Sequence, residues 1–164
     1  MNHQEWAKSL HHSARTQTPR AQFSTTEHYS LEDAYAIQHA LIAERVAEGH
    51  KVVGVKMGFT SVAKMKQMGV DDMIIGQLTS DMQISTEQPL QRSHCIHPRA
   101  EPEIAFRLSQ DVESALSVDE VVNYVDGVAA AVEVIDSRYE NFKFSLEDVV
   151  ADNCSSCGYA MGPW

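Results

Sequence analysis

Between Gly127 and Asp136 runs Val-Ala-Ala-Ala-Val-Glu-Val-Ile, an apolar stretch with one ionisable residue, Glu133, in its midst. A β-branched, apolar run of this length is a strand with a buried face. A carboxylate buried there without a partner costs several kcal/mol, at about 2 to 7 for the polar group alone, so it must be protonated, paired with a cation or bound to a metal. Arg99 and Arg138 are the sequence's candidates for a plain ion pair. The fold must therefore bring a compensating group to Glu133.

A second stretch narrows the choice. In His97-Pro-Arg-Ala-Glu101-Pro-Glu103-Ile-Ala-Phe106 the period-two rule places Glu101, Glu103 and Ala105 on one strand face. Pro102, Ile104 and Phe106 take the other, which is expected to pack into a core. Two like charges on one face repel, and a hard divalent cation with oxygen ligands relieves that repulsion. A bare Glu-x-Glu is common, but Glu133 supplies a natural third ligand.

The rest of the chain sets the frame. At 164 residues and 43% hydrophobic, it has the composition of one globular domain. Thirteen Lys and Arg against 23 Asp and Glu give a net charge of -10, which argues against nucleic acid or an anionic membrane as partner. No 18-residue apolar run occurs, and residues 1–18 lack an apolar run of signal-peptide length, so a cytoplasmic location is expected. Three cysteines, Cys95, Cys154 and Cys157, fit reduced thiols better than a disulfide framework. Cys154-Ser-Ser-Cys157 would need two more ligands for zinc, for which the one candidate set is His94, Cys95 and His97; no βαβ pattern supports a redox motif.

Periodicity predicts a short N-terminal helix with Trp6 and Leu10 on one face, then a loop through Pro19. Ser30 and Asp33 form a capping box for a helix whose inward stripe is Leu31, Ala34, Tyr35, Leu41, Ile42 and Val46, stopped by Gly49. Residues 51–59 read as a strand with Lys56 at its centre and Gly54 and Gly58 where backbone or ligand comes close. Val55 and Met57 share the face opposite Lys56. Thr60-Ser61 opens a short helix through Met68, with Met57, Met65 and Met68 as gap-filling core. Residues 70–96 read as short strands and turns carrying Gly76 and Pro89, and Ser117 to Glu120 as the capped start of another helix.

Three strings carry a resemblance: Gly54-Val-Lys-Met-Gly-Phe-Thr-Ser through Val70, His97 through Phe106, and Val132 through Phe144 with Val149-Val-Ala-Asp-Asn-Cys-Ser-Ser156. Together they resemble the hydratase/decarboxylase branch of the fumarylacetoacetate hydrolase superfamily. Met57-Gly-x-Thr-Ser, Lys64-Met-x-Gln-Met-Gly-Val and Ile135-Asp-Ser-Arg-Tyr-Glu-Asn-Phe are more similar to its 4-oxalocrotonate-decarboxylating members than to the hydratases of 2-hydroxypenta-2,4-dienoate, sister enzymes of meta-cleavage pathways for aromatic compounds. The resemblance implies an α+β fold: an N-terminal helical and strand portion over 1–70, then the first part of a mixed β-roll catalytic domain over 71–164.

It further implies a metal-dependent lyase with Glu101, Glu103 and Glu133 on one Mg2+ or Mn2+, Lys56 reaching into that site as a catalytic residue, Asp152 lining it in a catalytic role and Ser156 as a substrate contact. The implied substrate is a 2-oxo dicarboxylate, and the implied partners are further copies of the chain or the sister hydratase, with no nucleic acid or membrane. Family members run on well beyond Trp164, so a partial roll with an unpaired apolar edge is expected. Such an edge favours association and leaves open a non-catalytic fragment or partner subunit. Cys154 and Cys157 stand where the family usually has small residues.

Overall fold

A computed structural model describes residues 2–85 and 87–164, without the side chains of Lys64, Gln67 and Met68, so the core role expected of Met68 falls outside it. The first helix, α1 (His3–Thr16), is longer than a short helix; Asn2 caps it by accepting from the Glu5 N–H. α2 (Leu31–Ala47) starts on the Ser30/Asp33 capping box and is followed by Gly49 at φ +99°. Its buried face is Ala34, Ile37, Gln38, Leu41 and Ile42, whereas the outer members of the expected stripe, Leu31 and Val46, are exposed at the helix ends.

β1 (Val52–Gly58) pairs antiparallel with β2 (Ile74–Thr79), and α3 (Val62–Met68) joins them. Gly76 is thus a strand residue directly opposite Lys56, not a turn residue. The pair bridges positions 70 and 71, so the two segments of the chain share a sheet. A second antiparallel sheet has the order β3-β4-β5, from β3 (Arg99–Leu108), β4 (Val125–Ile135) and β5 (Ser156–Met161). The Ser117/Glu120 capping box forms, but its helix α4 (Val118–Val121) is a single turn. α5 (Leu146–Ala151), begun by a Ser145/Asp148 capping box, has no counterpart in the sequence expectations.

The core joins these pieces. Ala7 and Leu10 of α1, Ile37 and Leu41 of α2, Ile74 of β2, Tyr139, and Val149 to Ala151 of α5 form one buried cluster, sealed by Phe23 stacked on Trp6 at 4.0 Å. Gln38 is the polar pin inside it: its Nε2 donates to the carbonyls of Ile75 at 3.0 Å and Val150 at 2.9 Å, fixing α2 to β2 and α5. Burial without those bonds would cost about 1–3 kcal/mol.

The face of β3 opposite the glutamates departs from expectation. Ile104 and Phe106 are 65% and 62% exposed, because no described element covers that side of the sheet, and β3 is an edge strand. Val55, on the outer face of β1, is 60% exposed. Among the described residues no helix is long and apolar enough to cross a membrane.

Candidate metal centre

Glu101 and Glu133 face each other directly in the β3–β4 register, and Glu103 lies two residues along on the same side of β3. One carboxylate oxygen from each of the three lies within 4.8 Å of the others. Burial grades across the trio: Glu133 is buried, Glu101 half-buried and Glu103 exposed. Such a cluster, with one open side, suits a hard cation that keeps some water or substrate ligands.

Lys56 comes from the other sheet. Its Nζ lies 2.8 Å from Glu133 Oε2 and donates to the Cys154 carbonyl at 3.4 Å, with 11% of the lysine side chain and 5% of the glutamate side chain exposed. The cation that Glu133 requires is therefore Lys56. Arg99 instead stacks over the Phe142 ring and Arg138 serves Asp152. Burial raises the Glu133 carboxyl above the usual carboxylate range; Lys56 and the Ser156 hydroxyl pull it back, and Glu101 adds repulsion. Ser156 Oγ donates to Glu133 Oε1 at 3.1 Å. One lysine cannot balance three carboxylates, so the donor set fits a divalent ion.

Gly76 makes room for this arrangement. A Cβ there would stand 3.0 Å from Lys56 Cδ and 3.0 Å from the Asn153 carbonyl oxygen. Asn153 then holds the next segment in place: its Oδ1 accepts the Gln77 N–H at 2.7 Å and its Nδ2 donates to the Gln77 carbonyl at 2.8 Å. Asn153, Cys154 and Ser155 all have φ between 51° and 59°, a left-handed turn that delivers Ser156 to Glu133 and the Cys154 carbonyl to Lys56.

Comparison with known proteins returns a consistent set. No family model matches the chain. A 4-oxalocrotonate decarboxylase of Pseudomonas sp. is 45% identical over 158 residues, 96% of this chain and 62% of that protein, and one of Pseudomonas putida is 46% identical over 131 residues, 79% of this chain and 50% of that protein. The solved 4-oxalocrotonate decarboxylase from Pseudomonas putida G7, complexed with magnesium and adipate, superposes with a TM-score of 0.90 at 34% identity, over 98% of this chain and 62% of that one. Over most of its own length the chain is similar to the 4-oxalocrotonate decarboxylases. It spans between half and somewhat under two thirds of the length of these relatives. A 2-keto-4-pentenoate hydratase of Paraburkholderia xenovorans is 35% identical over 161 residues, as the resemblance to both sister activities leads one to expect.

The sequence-derived site residues separate into two groups. Lys56, Glu101, Glu103, Glu133 and Ser156 meet; Asp152 does not join them. Asp152 is fully buried and held by Arg138, which reaches it through its backbone N–H at 3.0 Å and through Nε, and bonds the Asp152 carbonyl through Nη2. Burial raises the Asp152 carboxyl to about 6 against the opposing pull of Arg138. Arg138 also donates to the carbonyls of Asp136 at 2.6 Å and Ser156 at 3.1 Å. The Asp152–Arg138 pair therefore anchors the turn beneath Ser156. Sequence reasoning missed Gly76 and Asn153, whose signals, a glycine opposite a mid-strand lysine and an asparagine after an aspartate, acquire meaning only once β1 and β2 are paired.

Proposed function

We propose that this chain carries the metal and enolate-stabilising part of a lyase that decarboxylates 4-oxalocrotonate to 2-hydroxypenta-2,4-dienoate, in the meta-cleavage degradation of aromatic compounds. The observation that carries the reading is the convergence of Glu101, Glu103 and Glu133 within 4.8 Å, with Lys56 inside the same cluster. The three carboxylates would hold Mg2+, or Mn2+, the kind of ion bound by the magnesium complex of the homologous decarboxylase. Such an ion supplies Lewis-acid stabilisation of the negative charge that develops on the 2-oxo acid as carbon dioxide leaves.

The chain's own residues do the rest. Glu133, fixed by Lys56 and Ser156, presents its carboxylate at a set angle. The Lys56 ammonium places a positive charge beside the site, offsets the charge of a dicarboxylate substrate and can move a proton at Nζ. Ser156 Oγ, itself buried, supplies a polar contact on the inner side of the cluster. Free Cys95, Cys154 and Cys157 suit the reducing cytoplasm. The exposed apolar face of β3 and β4 fits a role in a homo-oligomer or in a complex with the sister hydratase.

Hydration of 2-hydroxypenta-2,4-dienoate is the second reading, favoured by the 35% identity to a hydratase over nearly the whole chain. The test gives the chain, with Mg2+, each substrate in turn. Carbon dioxide release from 4-oxalocrotonate supports the decarboxylase; water addition alone supports the hydratase. Mg2+ binding by calorimetry with neither reaction would assign the chain to a partner-dependent subunit, and no Mg2+ binding would overturn the reading.

A further inference from the structure

The two cysteines of Cys154-Ser-Ser-Cys157 do not act as a unit. Cys154 is buried near Lys56 and Glu133. Cys157 sits where the β4–β5 register shifts, between the Gly158 and Ser156 pairings, and is partly exposed. There it meets Cys95, from the loop before β3, and Asp136, just past the end of β4. One ligand atom from each of the three lies within 4.8 Å of the others. Cys95 and Asp136 are each 4% exposed, and the Cys95 thiol donates to the Gln91 carbonyl at 3.7 Å.

Asp136 is held in a fixed orientation. Its Oδ2 accepts the Ile96 N–H at 2.9 Å and its Oδ1 the His97 N–H at 2.7 Å, so the carboxylate is aimed while each oxygen keeps a second lone pair. Arg92 bonds the carbonyls of Cys95 and Ile96 at 3.0 and 3.2 Å, which fixes the loop that carries the first thiol. A buried carboxylate within 4.8 Å of one buried and one partly exposed sulfur, each from a different part of the chain, has no role in the glutamate centre.

We propose that Cys95, Asp136 and Cys157 form a second metal site, for a thiophilic divalent ion of the zinc class. Tetrahedral zinc, with bonds of about 2.0 to 2.3 Å, sets its ligand atoms roughly 3.5 to 3.8 Å apart, which lies within the spread of this cluster. The partly exposed side of Cys157 leaves the fourth position to water. On binding, each thiol loses its proton to solvent, so two thiolates and one carboxylate carry three negative charges against the ion's two positive ones. The remaining negative charge faces the nearby Arg138 and Arg45, whose guanidiniums already pair with Asp152 and Asp81. Softness separates the two centres: sulfur ligands select zinc-like ions, and the all-oxygen glutamates select Mg2+. The ion would staple the loop before β3, the end of β4 and the start of β5 at one point.

The test is a Co2+ titration of the full chain, reduced and kept free of oxygen. With excess Mg2+ present to occupy the glutamates, thiolate-to-cobalt charge-transfer absorption should rise to saturation at one equivalent and vanish on adding Zn2+. An all-oxygen site cannot produce that absorption, so the outcome is independent of whether the glutamates bind Mg2+. Cys157→Ser, at the partly exposed ligand, should abolish the band in a folded chain, Asp136→Asn should weaken Co2+ binding at least tenfold, and Cys154→Ser should leave the band intact. Mass spectrometry after alkylation supplies a measurement that needs no variant: Zn2+ should slow labelling of Cys157 at least tenfold. Absence of the band in the reduced parent chain, its persistence in Cys157→Ser, or Zn2+-insensitive labelling would overturn the proposal.

Discussion

Replacing Lys56 by methionine keeps the stem of the side chain and removes the charge that Glu133 faces. Both side chains are nearly buried, 11% and 5% exposed, so solvent screens the loss little. In metal-free buffer the Glu133 carboxyl then has to take up a proton to remain inside. Neutralising a glutamate near pH 7 costs about 1.4 kcal/mol for each of the roughly 2.7 pH units above its ordinary value, about 4 kcal/mol in all. Lys56→Met should therefore lose about 3 kcal/mol near pH 7, at the low end of the cost of breaking a buried ion pair.

The sign with pH follows from linkage. A carboxyl raised in the folded state holds its proton longer than the unfolded chain does. Its contribution is most favourable below the ordinary carboxylate range and declines as pH rises through the raised value. The variant widens that window upward, so its deficit should shrink to about 1 kcal/mol near pH 5. Urea unfolding at the two pH values, with chelator present, measures this, and for a chain of this size 3 kcal/mol corresponds to roughly 6 to 12 °C in Tm. Lys56→Met combined with Glu133→Gln should return to within about 1 kcal/mol of the parent, because neither a lone charge nor a lone cation remains. Equal deficits at both pH values together with no rescue would refute the pairing argument.

Arg138→Met should cost about 3 to 5 kcal/mol in urea unfolding, since it strands the buried Asp152 carboxylate, and Arg138→Lys should rescue little because a lysine cannot reproduce the forked contacts. Asn153→Ala removes both side-chain bonds to the Gln77 main chain and should lose about 1 to 3 kcal/mol, with faster amide exchange at Gln77 as the local signature. Ile104→Lys, at a position 65% exposed, should change stability by no more than about 0.5 kcal/mol while reducing any self-association seen by light scattering.

What the sequence disclosed depended on the range of the interactions. The Ser30/Asp33 capping box, the Lys51–Phe59 strand and the alternation around Glu101 are local, and each stands where periodicity put it. The three-glutamate cluster was legible too, because one carboxylate in an apolar strand demands a partner. The choice of partner came from the family resemblance, which implied that Lys56 reaches into the site; local pattern alone favoured the arginines, because Lys56 reaches Glu133 only where two separate sheets meet. The assignment of Asp152 rested on family resemblance, and its burial against Arg138 is a property of the turn that no local pattern announces. Ile104 and Phe106 alternate like core residues, yet alternation specifies only which residues share a face.

The salt bridge between β1 and β4 has a consequence for how the protein reaches its working state. Lys56 and Glu133 lie far apart along the chain, on strands of different sheets, and the Asn153 turn that completes the cluster comes later still. Contacts of such large sequence separation wait on closure of long loops, so hairpins such as β1–β2 and β3–β4 can form while the charge cluster is still open. Until then Glu101 and Glu133 stand opposite each other with no cation between them, an electrostatic conflict that the β3–β4 hairpin carries alone. On that view a divalent ion present during folding would act early, relieving the hairpin's self-repulsion before the lysine arrives.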